Sequence, residues 1–278
     1  MIACKSEHEL EKMRASGRVT AQTLAMLRHS VKPGMTTTDI DSTAERLIRE
    51  RGGVPAFLGY HGFPGSICAS VNDEVVHGIP SGRVLRSGDL LKIDIGTVLD
   101  GWYSDMACTV AVGEVSKEAQ RLMAVTEEAL YIGIAAVHAG AHVSDIGNAV
   151  QTYVERHGYS VVRALVGHGV GTALHEEPAV PNFGRKGLGA VLKPGMVFAI
   201  EPMVNAGKYD VRTLDDHWCV VTQDGKLSAH FEHTVAVKHD GYEILTVVDA
   251  AETAALDRRV MNGGMFGATQ SPNAAALG

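Results

Sequence analysis

The sequence has little of what would tie a protein to a disulfide scaffold, a membrane or a nucleic acid. Four of its 278 residues are cysteine: Cys4, Cys68, Cys108 and Cys219. No two stand close enough for a CxxC knuckle, and a chain of this length buries a core without disulfides. Reduced thiols in or near the core are expected. No apolar run approaches the ~18 residues that suggest a transmembrane helix. The opening stretch, MIACKSEHELEKM, turns charged within a few residues and has no apolar signal segment, so the cytoplasm is the expected compartment. There is no basic excess. The net charge is −7, which speaks against DNA as a partner.

What is present is an apolar fraction of 45%, arranged with clear periodicities. Ser6 and Glu9 form an S-x-x-E capping box. Leu10, Met13, Gly17, Leu24 and Leu27 follow at helical spacing, predicting a helix over 6–29. A second helix is predicted over 38–51, closed by Gly52-Gly53. Residues 54–113 read as strands, with LLKIDIGTVL and YSDMACTVAVG forming a hairpin through Asp100-Gly101. Helical patterns return over 117–138 and 144–157, and 159–249 read as strands and loops. The stretch 252–278 is rich in Ala and Gly and reads as a loosely held tail behind a single domain, 1–251.

The order helix, helix, sheet thus occurs twice, and so do several words. VKPGMTTTDI at 31 matches VHAGAHVSDI at 137, LRSGDLLKID at 85 matches LKPGMVFAIE at 192, and His61-Gly62 matches His168-Gly169, all at offsets of 106 or 107. TVAV at 109 returns at 234, after an insertion in the second half. A duplicated unit of this kind predicts an α+β domain with pseudo-twofold symmetry. Its sheets would join, its helices pack outside, and its ligands bind between the halves.

The repeat also pairs acids. Asp94 in LLKID aligns with Glu201 in VFAIE, each at the end of an apolar strand. A carboxylate there is costly to bury unless it is paired or holds a metal; the bland alternative is an edge strand facing water. Asp105 and Glu232 stand four and two residues before their TVAV, and even spacing keeps both on one strand face. Four carboxylates in one space would raise one another's pKa unless cations sat among them. Oxygen donors suit Mn, Fe(II), Co(II), Mg or Zn. His168, in the Gly-rich VGHGVGTALHEEPAVPN, adds an imidazole and moves the choice away from Mg. His175 lies in the same segment and His77 in NDEVVHGIP, while His8, His29, His157 and His239 read as solvated.

With these residues in view, the sequence resembles the type I methionine aminopeptidases, of the pita-bread fold. The likeness covers about residues 5–249. It rests on VNDEVVHGIP, KIDIG, the Asp94–Asp105 spacing, GHGVGTALHEEP, AIEPM and FEHTVAV. It implies two divalent ions (Co, Mn, Fe(II) or Zn) held by Asp94, Asp105, His168, Glu201 and Glu232, with Asp105 and Glu232 bridging. It implies Glu201 as general base and His77 and His175 as catalytic or substrate-binding residues. Tyr60, Phe63, Cys68 and Trp218 would line an apolar pocket.

The reaction implied is removal of the first methionine from peptides and nascent chains, with a small second residue preferred. A monomer that meets nascent chains near the ribosome, with no membrane partner, is part of the same expectation. Leu174 and Phe57 depart from the family, where an aromatic and a smaller residue are common. His61, as counterpart of His168, is expected near the site without being a ligand. Proline-specific peptidases and creatinase-like hydrolases of this fold usually carry a large N-terminal domain, for which the capping box at residue 6 leaves no room. Non-catalytic peptide binders on this fold lose metal ligands, whereas all five are present here.

Overall fold

The capping box at the start of the chain closes as the sequence predicts. The Glu9 carboxylate accepts the Ser6 N–H at 2.7 Å, the Ser6 hydroxyl accepts the Glu9 N–H at 3.4 Å, and α1 (Glu7–Ser30) begins. Thr36 and Asp39 do the same for α2 (Thr37–Glu50). The structure is a computed structural model that describes residues 2–248; the expected tail, 252–278, lies outside the described residues.

The first half continues with β1 (Val54–Pro55), β2 (Ile67–Val71), β3 (Glu74–Val76), β4 (Leu90–Leu99) and β5 (Trp102–Ala111). The second half opens with α3 (Lys117–Ala135) and α4 (Val143–Arg156). Its strands are β6 (Ser160–Val161), β7 (Gly167–Gly169), β8 (Glu176–Val180), β9 (Val197–Ile200), β10 (Met203–Asn205), β11 (Val211–Thr213), β12 (Val220–Thr222), β13 (Ser228–His230), β14 (Glu232–Lys238) and β15 (Gly241–Ile244). α3 stops at Ala135, short of the expected 138. The N–H groups of Ala136 and Val137 bond three residues back, tightening the last turn until it can no longer propagate.

β4 and β5 form the predicted hairpin, paired from Leu90↔Ala111 to Leu99↔Trp102. Asp100 and Gly101 both take positive φ, 49° and 79°, as a two-residue turn matched to strand twist requires. The main sheet runs β1-β4-β5-β14-β9-β7-β8, with β2 added to β4 and β15 to β14. One face of it is aliphatic. Ile93, Ile95, Val110, Phe198, Ile200 and Val235 pack with Leu24 and Leu27 of α1, Leu47 of α2 and Leu130 of α3. Burying such side chains contributes about 1.5–3 kcal/mol each, so this face anchors the helices to the sheet.

The duplication shows in matching backbone hydrogen bonds. Gly34 N–H donates to Leu85 O, and Gly140 N–H to Leu192 O. Leu85 N–H donates to Met35 O, and Leu192 N–H to Ala141 O. The isolated bridges Thr36↔Val84 and His142↔Val191 are the same pair twice. One expected match fails. Ser70 faces Lys92 and Gly169 faces Phe198. Extending the second register sets His168 opposite Ala199, the counterpart of Lys92. The structural counterpart of His168 is therefore Ser70, and His61 sits in a short 3-10 turn before β2. Both halves simply share a His-Gly word at that offset.

The halves also differ in length. The span from Glu201 to Glu232 is twenty residues longer than that from Asp94 to Asp105, and the surplus builds β10 to β13.

Gly17 marks where α1 meets the chain after β15, because a Cβ there would collide with the Leu245 carbonyl. Gly17→Ala is expected to cost about 1–3 kcal/mol through overpacking. That should lower the melting temperature by about 2–4 °C per kcal/mol in calorimetry. An unchanged midpoint would show that the helix shifts freely on the sheet.

Candidate active site

Strand register alone brings the acids together. Asp94 faces Ala107 and Gly96 faces Asp105 across β4 and β5. Glu232 faces Ala107 from the other side of β5. Ile200 faces His233 across β9 and β14, so Glu201, one step on, stands beside Glu232. Antiparallel partners project to the same face, so all four carboxylates point one way, opposite to the aliphatic face. His168 joins them from β7. A Cβ at Gly167 would strike the Ala199 carbonyl and one at Gly169 the Glu177 carbonyl, so glycine on both sides lets β7 fit between β8 and β9.

Asp105 and Glu232 are 4% and 2% exposed. One ligand atom each from Asp105, His168 and Glu232 lie within 4.8 Å of one another. His168 Nε2 is 3.6 Å from Glu201 Oε1 and 3.8 Å from Asp105 Oδ2. Its Nδ1 lies 3.0 Å from the Gly169 carbonyl, which can only accept. The proton therefore sits on Nδ1 and the Nε2 lone pair faces the acids, the tautomer that binds a metal.

Desolvation dominates the titration of the cluster. It pushes Asp94 up to about 7, eased by a hydrogen bond from Asp105. Asp105, Glu201 and Glu232 are driven well above the usual carboxylate range by burial first and by neighbouring acids second. Burial likewise pushes His168 down to about 4. Asp94 Oδ1 and Glu232 Oε1 are buried with no hydrogen-bond partner among the described residues. Orphaned carboxylate oxygens around one neutral imidazole fit a divalent cation, not a closed hydrogen-bond network.

The acids and His168 form one end of a cavity of about 590 Å³. Its other wall is apolar: Phe57, Phe63, Cys68 and Leu174 form a buried cluster against which Tyr60 and Trp218 pack. The Phe63 and Trp218 rings meet edge to face at 5.1 Å. Both departures from the family pattern, Phe57 and Leu174, fall in this one cluster. His61, His77 and His175 also line the cavity. Tyr60 Oη lies 2.7 Å from His175 Nδ1, and the His168 and His175 rings are 4.1 Å apart.

Three features were missed in the sequence. Glu176 fastens the loop carrying His175: its carboxylate accepts from the Thr172 and Ala173 N–H groups and from Lys5 Nζ at 2.6 Å. Lys92 is wholly buried, and its ammonium donates to the Asn72 carbonyl at 2.7 Å, in the turn that leads through β3 to His77. Burial pushes that lysine down to about 7. His230, 1% exposed, lies behind Glu201 and Glu232. Only His230 left a sequence signal, its even spacing from Glu232.

An apolar pocket that ends in buried, cation-seeking carboxylates, on a duplicated antiparallel sheet, defines a metal-dependent hydrolase of the pita-bread class. The sequence profile of metallopeptidase family M24 matches residues 11–239, and the chain belongs to that family. Over 248 residues it is 53% identical to methionine aminopeptidase 1 of Bacillus subtilis (strain 168), covering 89% of this chain and 100% of that one. It is 51% identical over 248 residues to a methionine aminopeptidase of Clostridium perfringens, with the same coverage. The crystal structure of the Rickettsia prowazekii methionine aminopeptidase superposes with a TM-score of 0.88 at 46% identity, covering 89% of this chain and all of that one.

An acid whose pKa is raised by folding binds extra protons in the folded state between its two values. Stability is then full below the unfolded value and falls as pH rises through the folded one. For Asp94 that window runs from 3.8 to about 7. The depressed histidines, His168 among them, titrate over the same range with the opposite sign, so the acid's share is read by difference. Metal-stripped wild type is expected to lose more melting temperature, or gain less, between about pH 5 and about pH 7.5 than metal-stripped Asp94→Asn, and excess divalent metal to remove most of that difference. Equal pH profiles for the two stripped proteins would contradict the raised Asp94.

Proposed function

We propose that this chain is a metal-dependent methionyl aminopeptidase that removes the first methionine from peptides and nascent proteins with a small second residue. The observation that carries the reading is the Asp105, His168 and Glu232 cluster at the end of an apolar cavity. Asp94, Asp105, His168, Glu201 and Glu232 would hold two divalent ions, drawn from Mn, Fe(II), Co and Zn. When bound, such ions polarise a carbonyl and acidify water.

The chain's own groups do the rest. The Glu201 carboxylate accepts the proton of the water that attacks the first peptide carbonyl. With the Tyr60 O–H donating to Nδ1, His175 keeps an Nε2–H to donate to the carbonyl oxygen as charge develops there. His77 hydrogen-bonds beside the scissile amide. Tyr60, Phe63, Cys68 and Trp218 surround the methionine side chain and exclude water, and Asp94 faces the free α-amine. An unblocked amine at that end restricts cleavage to the first residue. Residues 1–251 act as one catalytic domain, as a monomer in the cytoplasm, on chains emerging from the ribosome. No helix among the described residues is long and apolar enough to cross a membrane.

A peptide panel tests the reading. Stripped protein re-supplied with Mn, Fe(II), Co or Zn is expected to release methionine from Met-Ala peptides and not from Met-Lys peptides. Preference for Xaa-Pro bonds, or no turnover with any metal, would sink it. Asp105→Ala and Glu232→Ala should show no metal-dependent turnover. Glu201→Gln is expected to lower kcat about 10²–10⁴-fold, the usual worth of a positioned base.

A further inference from the structure

His230 is a buried imidazole for which the mechanism above has no use. Its backbone is fixed at the end of β13: its N–H donates to Thr109 Oγ1 at 2.9 Å, and that hydroxyl donates to its carbonyl at 2.8 Å. Neither ring nitrogen has a hydrogen-bond partner among the described residues. An unpaired buried polar group destabilises the fold, and this ring has two. Nε2 points at the acids, 3.9 Å from Glu232 Oε2 and 4.0 Å from Glu201 Oε2. The ring is absent from the cavity wall, so it meets the carboxylates from behind and not from the substrate side. The wholly buried Lys92 and the half-buried His77 are its other titratable neighbours.

Carboxylates that bind metals are themselves held by hydrogen bonds from outer groups. A shift of roughly 1 Å would bring Nε2 within bonding range of either oxygen. We propose that His230 is a positioning residue whose Nε2–H donates to the Oε2 atoms of Glu201 and Glu232, holding both carboxylates toward the metal centre. The inference rests on the assignment of Glu201 and Glu232 as metal ligands.

Wild type, His230→Gln and His230→Leu would be stripped of metal, checked by circular dichroism and titrated with Mn(II) by calorimetry. Visible spectra of the Co(II) forms and melting curves with and without metal complete the set. In His230→Leu the metal Kd should rise about 10–100-fold, and the metal-induced gain in melting temperature should shrink. Its metal-free melting temperature should be equal to wild type or higher, because an orphaned polar ring is gone. His230→Gln, which keeps a donor, should bind metal within about threefold of wild type. The Co(II) spectra should keep their shape, because no ligand is removed. Wild-type affinity in His230→Leu overturns the inference alone. So does a tenfold or greater loss in His230→Gln, a result that remains readable if His230→Leu does not fold. A changed Co(II) spectrum in His230→Gln overturns it in favour of direct ligation. Wild type that takes up no metal overturns both this inference and the assignment beneath it.

Discussion

The cost of withdrawing four carboxylates from water into one space, and secondly of setting them against one another, is the constraint around which the rest of the structure is arranged. Asp94, Asp105, Glu201 and Glu232 come from four neighbouring strands and share one face, so each burdens the others as well as itself. Protons and metal ions compete to relieve that cost, and either makes the cluster tolerable. The strands that carry the acids cannot separate, because their opposite face is locked to the helices by aliphatic packing. Stability is thus concentrated on one side of the sheet and chemical tension on the other.

Much of this was legible in the sequence, because the governing rules are local. Two-residue alternation put Asp105 and Glu232 on one face, and Asp-Gly chose the turn between β4 and β5. The Ser6–Glu9 capping box fixed the start of α1. The illegible parts depend on contacts between distant segments. Tyr60 and His175 are 115 residues apart in the chain. Lys5 reaches Glu176 across 171 residues. His230 keeps the parity of Glu232, yet Phe231 interrupts the strand between them, and one histidine among thirteen carries no mark of its own. The pairing of His61 with His168 misled because it matched letters where strand register decides position.

The His175 loop illustrates how the fold places a mobile type of element with precision. Loops carry function because their sequences are free of packing demands, but they need to be held. Here one carboxylate does so: Glu176 takes two backbone N–H groups of the loop and the ammonium of Lys5, which precedes α1. The start of the chain is thereby joined to the site, although none of its side chains lines the cavity.

The unequal lengths of the two halves separate two kinds of responsibility. The duplicated segments supply the acids, while the surplus segment from β10 to β13 contributes Met203 and Trp218 to the cavity wall. The site therefore has an inherited part and an acquired part on different stretches of chain. The first is shared between both halves, so a change in any one acid alters the charge that the others face. The second belongs to one half and has no twin to match, so its part of the cavity wall can vary without disturbing the acids.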